Sequence, residues 1–390
     1  CEIIDCGICP TPTAQLMVKD LNAKGGIIVT ASHNPIEWNA LKFVGDEGLF
    51  LDSEEHKQLQ IELGKVKTAG PLESELTGSV TKLDDRIERH IENVMALDLV
   101  NVDAIRELRP KVVIDAINGA GSEALPAFLE RIGCEVFPIN CDNDGNFVHT
   151  PEPLPENLME LRRTVSRVGA DLGIATDPDA DRLAVIDGYG NPLVEEYTLV
   201  LAAYHALRHA AEHDRRPLVT NLSSTKALDD LAERYGRRVL RTPVGEIHVA
   251  RKMQQLDTLI GGEGNGGVIL AESHLGRDSL VASGLILSLM AETKQSIREI
   301  ADDLPRYEMV KDKINVQGYQ PADILQSLAE KYASLVPNLE DGVKISWKDR
   351  WVHFRASNTE PIVRIFAEGS SQTVAASLVN EFKTEIQDLL

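Results

Sequence analysis

The sequence has no hydrophobic run near the roughly 20 residues that a membrane-spanning helix needs. Its opening, CEIIDCGICPTP, has neither a basic segment nor a small-residue cleavage site. Positive charge is also scarce, since 40 Lys and Arg face 61 Asp and Glu, for a net charge of −21. A phosphate polymer would be repelled except at a local basic cluster. These absences predict no nucleic-acid partner and no membrane partner, and they leave a small anionic ligand open.

Cysteine is scarce as well, and the five cysteines cannot all pair. Cys6 and Cys9 form a Cys-x-x-Cys, but a zinc site needs a second pair, and Cys134 and Cys141 are too widely spaced for the usual one. An odd cysteine count in a long chain fits a reducing compartment. We therefore predict free cysteines, buried in strands and loops, and a cytoplasmic protein.

Strand and helix patterns alternate along the chain. Short β-branched runs are typical of buried parallel strands, and these are GGIIVT, KVVIDAI, DLGIAT, LAVID and RPLVT. Helical patterns lie between them, in SEALPAFLERIG, LVLAAYHALRHAAEH and TKALDDLAERYG. This alternation predicts an α/β fold with crossover connections.

Candidate domain boundaries are the largely helical stretch 81–108, the turn at 187–192, and 301–310, after which the pattern becomes α+β. A chain of 390 residues has room for two to four domains. The family resemblance described below implies four, which are 1–95, 96–190, 191–303 and 304–390.

Three carboxylates alternate in TDPDADR, directly after an apolar strand. Asp177, Asp179 and Asp181 would point to one side of an extended or turn-like backbone, where oxygen ligands suit Mg²⁺. An EF-hand loop is excluded because its sixth and twelfth places hold Arg182 and Gly188. A solvated acidic turn is the alternative.

The run GGIIVTASHNP ends a strand in Ser32 and His33, and Lys42 follows shortly after. Ser32 alone would be a helix N-cap. With an imidazole and an amine nearby, however, a serine hydroxyl can carry a phosphoryl group while a neighbour shuttles the proton of an incoming alcohol.

Two further motifs are suited to a sugar phosphate. In GGEGNGG, Glu263 and Asn265 stand between glycines and can bond sugar hydroxyls, although a flexible hairpin or linker is the ordinary interpretation. In RASNTEPIVRIFAE, two guanidinium groups surround hydroxyl and amide donors that can grip a phosphate, although a capped turn is the alternative. The candidate phosphate ligands are Arg355, Ser357, Asn358, Thr359 and Arg364.

Together the four motifs resemble one family, the α-D-phosphohexomutases, in the family's order and over nearly the whole chain. The resemblance implies three mixed α/β domains and a smaller α+β C-terminal domain around a central cleft. It also implies that Ser32 is phosphorylated and binds Mg²⁺ with the three aspartates. His33 and Arg182 match residues that flank the transferred group, and Lys42 matches the general acid/base.

The implied reaction interconverts hexose 6- and 1-phosphates through a hexose 1,6-bisphosphate, while the phosphate motif holds the phosphate that is not reacting. The sugar loop departs from the Gly-Glu-x-Ser-x-His of many glucose and mannose mutases, because Asn265 and Gly267 stand in the Ser and His places. Glucosamine phosphate is therefore the expected substrate, with glucose or mannose phosphate as the alternative. In TPVGEIHVA, Glu246 would face the sugar, unless it pairs with Arg251.

Two other classes stay open. A phosphatase or sugar kinase would share the phosphate chemistry, but no GKS or GKT signature is present. A non-catalytic sugar-phosphate binding protein would be expected to lose Ser32, Lys42 or an aspartate. The family's upstream loop with Gly-Thr and Arg does not occur in this sequence, so the first domain is expected to be incomplete. A homo-oligomer stays open.

Overall fold

The computed structural model describes residues 1–34, 37–69, 78–357 and 360–389, so Asn358 and Thr359 lie outside the described residues. The strands in these ranges are β1 (Ile3–Asp5), β2 (Gly25–Val29), β3 (Leu41–Gly45), β4 (Val80–Lys82), β5 (Lys111–Asp115), β6 (Glu135–Ile139), β7 (Leu172–Thr176), β8 (Leu183–Asp187), β9 (Leu218–Asn221), β10 (Val239–Thr242), β11 (Ile260–Glu263), β12 (Gly267–Leu270), β13 (Glu308–Asn315), β14 (Val343–Ser346), β15 (Trp351–Ala356) and β16 (Ile362–Gly369).

The helices are α1 (Thr11–Asp20), α2 (Ser53–Ala69), α3 (Arg86–Met95), α4 (Val102–Leu108), α5 (Gly121–Ile132), α6 (Met159–Val168), α7 (Glu196–His209), α8 (Ala227–Arg234), α9 (Glu246–Leu256), α10 (Ser279–Thr293), α11 (Ile297–Asp302), α12 (Pro321–Lys331) and α13 (Gln372–Leu389). None of them is both long and apolar enough to cross a membrane. The helical stretch predicted at 81–108 consists of α3 and α4.

Two four-stranded sheets repeat one topology. Their orders are β6-β5-β7-β8 and β10-β9-β11-β12, and in each the first three strands are parallel while the last is antiparallel. KVVIDAI, DLGIAT and RPLVT therefore form parallel strands as predicted. The C-terminal sheet, β13-β16-β15-β14, is wholly antiparallel and packs against α12 and α13, which gives the predicted α+β tail.

Two strand predictions were wrong. LAVID (β8) is antiparallel to β7, because the short loop between them is too brief for a parallel crossover, which takes a dozen residues or more. GGIIVT (β2) pairs antiparallel with β3 in a two-stranded sheet, and only one of its faces packs against α1. Ile27 and Val29 are exposed, so this strand is half-buried rather than buried.

All four predicted motifs connect antiparallel neighbours. The Ser32 segment joins β2 to β3, the aspartate segment joins β7 to β8, the glycine-rich segment joins β11 to β12, and the phosphate motif joins β15 to β16. The aspartate and glycine-rich loops thus occupy equivalent places in the repeated sheets.

The cysteine prediction is right in one part. All five thiols are free, but only Cys134 is buried, while Cys1 is exposed and Cys6, Cys9 and Cys141 are partly exposed. Cys1 and Cys6 flank the short opening strand β1, which within the described residues pairs with β4 alone and is exposed along its length.

The C-terminal sheet contacts the loop after β9 through buried polar groups. His353 is fully buried, its Nε2 donates to the Asp341 carbonyl at 2.7 Å, and its Nδ1 lies 2.9 Å from the Ser223 hydroxyl. Lys344 Nζ donates to the Leu222 carbonyl at 2.6 Å. Burial lowers the pKa of His353 to about 4, although the bond to the Asp341 carbonyl acts in the opposite direction.

This lowered pKa predicts a pH-dependent docking. In the unfolded chain, His353 binds a proton once the pH falls below an ordinary histidine pKa. In the folded chain, it does not bind one until the pH reaches about 4. Stability is therefore lost as pH falls from about 6.5 to 4, by up to about 3 kcal/mol. Urea unfolding between pH 7.5 and 4.5 should show this slope, and His353→Gln should flatten it. An unchanged slope in the variant would assign the effect to other groups.

Candidate active site

Ser32 lies in a strained turn at the end of β2. Its φ of +49° is in the left-handed region that non-glycine residues rarely adopt, a conformation that is often retained at functional sites. Its Oγ lies 3.3 Å from Asp177 Oδ2 and 3.4 Å from His33 Nδ1. The turn also borders a cavity of 1610 Å³ that is lined mainly by the first segment, with Asp179 at its edge. The hydroxyl is therefore partly exposed beside buried carboxylates.

The three aspartates converge as the sequence predicted. Asp177, Asp179 and Asp181 are all buried, and each has one carboxylate oxygen within 4.8 Å of the others'. The hairpin turn is tightened by Ala180, whose φ is +53°. Asp179 Oδ1 and Asp181 Oδ1 accept no hydrogen bond within the described part of the chain. Unsatisfied carboxylate oxygens at this spacing fit a hard divalent cation such as Mg²⁺.

Lys42 reaches the same carboxylates. Its Nζ lies 2.6 Å from Asp179 Oδ2 and 3.5 Å from Asp181 Oδ2. Burial acts to lower the Lys42 pKa, but Asp181 and Asp179 outweigh it and raise the pKa above its ordinary value. Lys42 is thus held as an ammonium ion between two aspartates.

The pKa values of the neighbouring groups are shifted in different directions. Burial, followed by repulsion from Asp181, raises the pKa of Asp177. Although burial disfavours its charged form, Asp181 has a lowered pKa because Arg277 and Lys42 face it. Burial and the nearby Arg182 lower the pKa of His33 to about 4, so this imidazole is neutral near pH 7.

Arg182 flanks the triad from the same hairpin. Its backbone N–H donates to Asp177 Oδ1 at 3.2 Å, and its Nε lies 3.6 Å from Asp177 Oδ2 and 3.7 Å from Asp181 Oδ1. The guanidinium is almost wholly buried. It therefore adds positive charge beside the serine, where the resemblance expects it.

Arg277 is the residue that the sequence reasoning missed. Its guanidinium bonds three buried carboxylates, with Nη2 2.7 Å from Asp181, Nε 3.0 Å from Glu246 and Nη1 2.9 Å from Glu263. These carboxylates come from segments far apart in sequence, so nothing local in HLGRDSL signals the contact. An Arg that follows a sugar-loop motif lacking its His is the only hint the sequence offers.

The predicted sugar ligands meet at this arginine. Glu263 accepts Asn221 Nδ2 at 2.8 Å and Gly245 N–H at 2.9 Å on one oxygen, which leaves acceptor capacity on the oxygen that faces Arg277. Asn265 Oδ1 is buried and accepts no hydrogen bond in the described chain. It is therefore available to a ligand.

Glu246 does not pair with Arg251, the alternative considered from the sequence. It bonds Arg277 and also accepts Gln15 Nε2 at 3.3 Å, whereas Arg251 pairs with Glu47 and Glu55. The reason is that Glu246 begins α9 on its buried side, while Arg251 lies further along on a partly exposed face. Burial raises the pKa of Glu246 despite its arginine partner.

Gly267, in the histidine place of the sugar loop, has a steric role. A Cβ built there would lie 2.1 Å from Arg277 Cδ and 3.2 Å from Asn265 Oδ1. A larger residue would displace the Arg277 side chain. The glycine and the three-carboxylate contact of Arg277 therefore depend on each other.

The phosphate motif is partly described. Arg355 and Arg364 stand directly opposite each other on β15 and β16, and such like-charged pairs are unfavourable unless an anion lies between them. Arg355 Nε lies 2.9 Å from Asp341 Oδ2, which also accepts Val244 N–H at 2.9 Å, next to Gly245 of the Glu263 contact. Ser357 follows on the loop, where its Oγ accepts Glu360 N–H at 3.3 Å. Asp341 thus contacts both Arg355 of this motif and the backbone next to Gly245, which itself contacts Glu263.

Helix α1 braces the whole arrangement and was also missed. Thr11 Oγ1 donates to Asp179 Oδ2 at 2.8 Å, and Gln15 reaches Glu246. Thr11, Thr13 and Gln15 are all buried. Three polar residues in the first turns of α1, ahead of its apolar stretch Leu16–Val18, were the available signal, because buried polar groups need partners.

Comparison with known proteins agrees with this architecture. Models of the phosphoglucomutase/phosphomannomutase family match as alpha/beta/alpha domain I at 1–69, alpha/beta/alpha domain II at 88–190, alpha/beta/alpha domain III at 195–307 and C-terminal domain at 310–385. The chain therefore belongs to this family of phosphohexomutases, which are isomerase-type enzymes, and the predicted fold class is confirmed.

Named relatives cover most of the chain. A phosphoglucomutase/phosphomannomutase of Thermococcus kodakarensis is 39% identical over 96% of this chain and 81% of its own length. A phosphoglucosamine/phosphogalactosamine mutase of Sulfurisphaera tokodaii is 33% identical over 99% and 85%. The crystal structure of a phosphoglucomutase/phosphomannomutase family protein from Burkholderia thailandensis, at 24% identity, has the same fold, with a TM-score of 0.81 over 99% of this chain and 83% of that one.

Arg277→Lys tests the central contact. A lysine keeps the charge but cannot bridge three carboxylates, so kcat/KM should fall at least about 100-fold and the free energy of unfolding by about 2–4 kcal/mol. The matched control is Arg251→Lys, whose partly exposed ion pairs should contribute less than about 1 kcal/mol and leave turnover unchanged. If both variants behave alike in assays and urea unfolding, Arg277 does not organise the site.

Proposed function

We propose that this chain interconverts hexosamine 6-phosphate and 1-phosphate, with glucosamine phosphate as the favoured substrate, through a phosphorylated Ser32. The observation that carries the proposal is the placement of Ser32 Oγ, in a strained turn 3.3 Å from Asp177 of the buried triad. A structural serine would need neither the strain nor the carboxylates. A non-catalytic sugar-phosphate binding protein would have no use for this pairing.

The reaction moves one phosphoryl group in each direction. First the bond between Ser32 Oγ and phosphorus breaks while phosphorus bonds the free hydroxyl oxygen of the sugar monophosphate, giving a 1,6-bisphosphate. Ser32 then attacks the other phosphate and the sugar keeps the first, so the isomeric monophosphate leaves and the enzyme is phosphorylated again. In each half the attacking hydroxyl loses a proton and the leaving oxygen regains one.

His33 and Lys42 are suited to this proton traffic. The neutral His33 Nδ1, 3.4 Å from Ser32 Oγ, can accept the serine hydroxyl hydrogen. Lys42 is held protonated by Asp179 and Asp181, so it can donate a proton to a leaving oxygen. Arg182 adds a fixed positive charge beside the transferred group.

The triad is the proposed magnesium site, completed by the phosphorylated Ser32. Bound there, Mg²⁺ would offset negative charge on the phosphoryl oxygens. In the protein alone, Lys42, Arg182 and Arg277 neutralise part of the negative charge of the aspartates themselves. The phosphate that is not reacting would be held by Arg355 and Arg364, with Ser357, Asn358 and Thr359 on the intervening loop.

The amine preference is supported by the acidic lining of the sugar loop. Glu246 and Glu263 are both buried against Arg277, and Asn265 presents a carbonyl oxygen that has no partner among the described residues. An ammonium group gains from acidic acceptors where a hydroxyl gains less. The Sulfurisphaera relative is named for amino sugars and the Thermococcus relative for glucose and mannose phosphates, so phosphoglucomutase/phosphomannomutase activity is the alternative.

Ser32→Ala tests the phosphoryl carrier. After incubation with glucose 1,6-bisphosphate, peptide mass mapping should find the phosphoryl group on Ser32 of the wild type and of the exposed-serine control Ser53→Ala. The Ser32→Ala chain should carry no label and lose at least about 1,000-fold in kcat, as nucleophile removal does elsewhere. Label on another residue, with turnover intact, would refute the phosphoserine.

Glu263→Gln tests substrate choice. The neutral amide loses the charge-assisted part of any bond to the amine, so kcat/KM should fall about 10- to 100-fold more for glucosamine 6-phosphate than for glucose 6-phosphate. Asn265→Ala, which removes an acceptor without changing charge, should lower both values more evenly. Equal losses in Glu263→Gln would mean that Glu263 contacts hydroxyls shared by both sugars. A wild type that prefers glucose or mannose phosphate would favour the alternative.

A further inference from the structure

A second cluster of metal-ligating side chains lies apart from the site above, where α7 packs against α10. His205 and His209 are one helical turn apart on α7, and Glu292 faces them from the last turn of α10. One ligand atom from each lies within 4.8 Å of the other two. The residues come from helices that none of the phosphoryl-transfer chemistry uses.

His205 has an unsatisfied nitrogen. The side chain is fully buried, and its Nε2 donates to the Leu99 carbonyl at 2.8 Å, which fixes the hydrogen on that nitrogen. Nδ1 is therefore an acceptor, and in the described chain it has no hydrogen-bond partner. A buried ring nitrogen with a free lone pair requires an explanation. A backbone carbonyl bound to the other nitrogen is the usual support of a metal-ligating histidine.

Of the other two ligands, Glu292 also has an outside partner, and His209 pairs with Glu292. Glu292 Oε2 lies 2.7 Å from His209 Nε2, while its Oε1 accepts Asn101 Nδ2 at 3.0 Å. The His209 and Glu292 side chains are 39% and 17% exposed, so an ion can enter and keep a water molecule. Burial acts to raise the Glu292 pKa, but the hydrogen bonds from Asn101 and His209 outweigh it and hold the pKa low.

The contrast with another histidine pair is informative. His90 and His274 both donate Nε2–H to Asp278, at 2.8 and 3.0 Å, while their Nδ1 atoms lie against Thr13 Oγ1 and Gly276 N–H. Every nitrogen there is satisfied, so that cluster is complete as a hydrogen-bond network. The cluster on α7 and α10 is incomplete without an additional group.

We propose that His205 Nδ1, His209 and Glu292 form a binding site for a divalent transition metal of the zinc class. Two imidazoles and one carboxylate are a common zinc set, with a solvent molecule in the fourth place. Tetrahedral bonds of about 2.0–2.1 Å need ligand atoms roughly 3.3 Å apart, which small side-chain rotations can reach from the present spacing. Hard magnesium prefers oxygen ligands and would not compete.

Such an ion would fasten a junction of the fold. α7 and α10 pack extensively against each other in the main core, and Asn101 begins α4, where it also donates its backbone N–H to Ser288 of α10. Leu99, the support of His205, lies just before it. A metal here would link the passage between the first and second predicted domains to two core helices, so its expected effect is on stability rather than on turnover.

The test uses the full chain, stripped with a chelator and then dialysed against Zn²⁺ with excess Mg²⁺ to occupy the aspartate triad. The wild type should retain about one zinc ion per chain. His209→Gln and Glu292→Gln should lose this ion, because each should bind zinc at least about tenfold more weakly. The exposed-histidine control His213→Gln should retain it. Zn²⁺ should raise the Tm of wild type and the control but not of the other two variants.

Two results would overturn the proposal. One is a wild type that retains no zinc beyond the level of His209→Gln. The other is equal zinc retention and equal Tm shifts in all four proteins, which would locate the ion at the triad or at the His90 cluster. Because His209 and Glu292 are partly exposed, both variants should fold, and their metal-free Tm values check this.

Discussion

The site depends on burying five carboxylates close together. Asp177, Asp179, Asp181, Glu246 and Glu263 are each less than one-tenth exposed, and burying charge without partners is very costly. The cations that offset them come from three separate parts of the chain, with Lys42 on β3, Arg182 after β7 and Arg277 after β12. Arg182 belongs to the same hairpin as the aspartates, but Lys42 and Arg277 reach them from other parts of the chain. Electrostatics therefore makes the relative placement of the segments part of the site.

This constraint explains why the aspartates, Glu263 and Asn265 lie on or beside short antiparallel connections. A short connection between paired strands holds its side chains more firmly than a long crossover loop, and carboxylates that repel one another need such restraint. The aspartate loop and the sugar loop use the same position in two sheets of identical order. The repeated sheet thus supplies two rigid attachment points, one acidic and one mixed, that face a common arginine.

The sequence predicted what local patterns encode. Central strands β5, β7 and β9, the helices between them and the convergence of the aspartates all follow from periodicity, spacing and the resemblance. Prediction from the sequence failed where contacts between distant residues determine the structure. The direction of β8 is set by the length of the loop before it. Ile27 is exposed because its sheet has two strands. The role of Arg277 depends on partners that lie 96, 31 and 14 residues away in sequence. The residues adjacent to Arg277 in sequence do not indicate such distant partners.

The departure of the sugar loop from the histidine form then has a physical basis. With glycine at 267, the Arg277 side chain crosses the position that a larger residue would fill, and there it reaches Asp181 of the metal loop as well as both glutamates. A histidine at that place would contact only what its ring can reach. Here one guanidinium connects the aspartate loop to the glycine-rich loop. Under the proposed function, the charge of a sugar bound at Glu263 would therefore act on Asp181 through this single side chain.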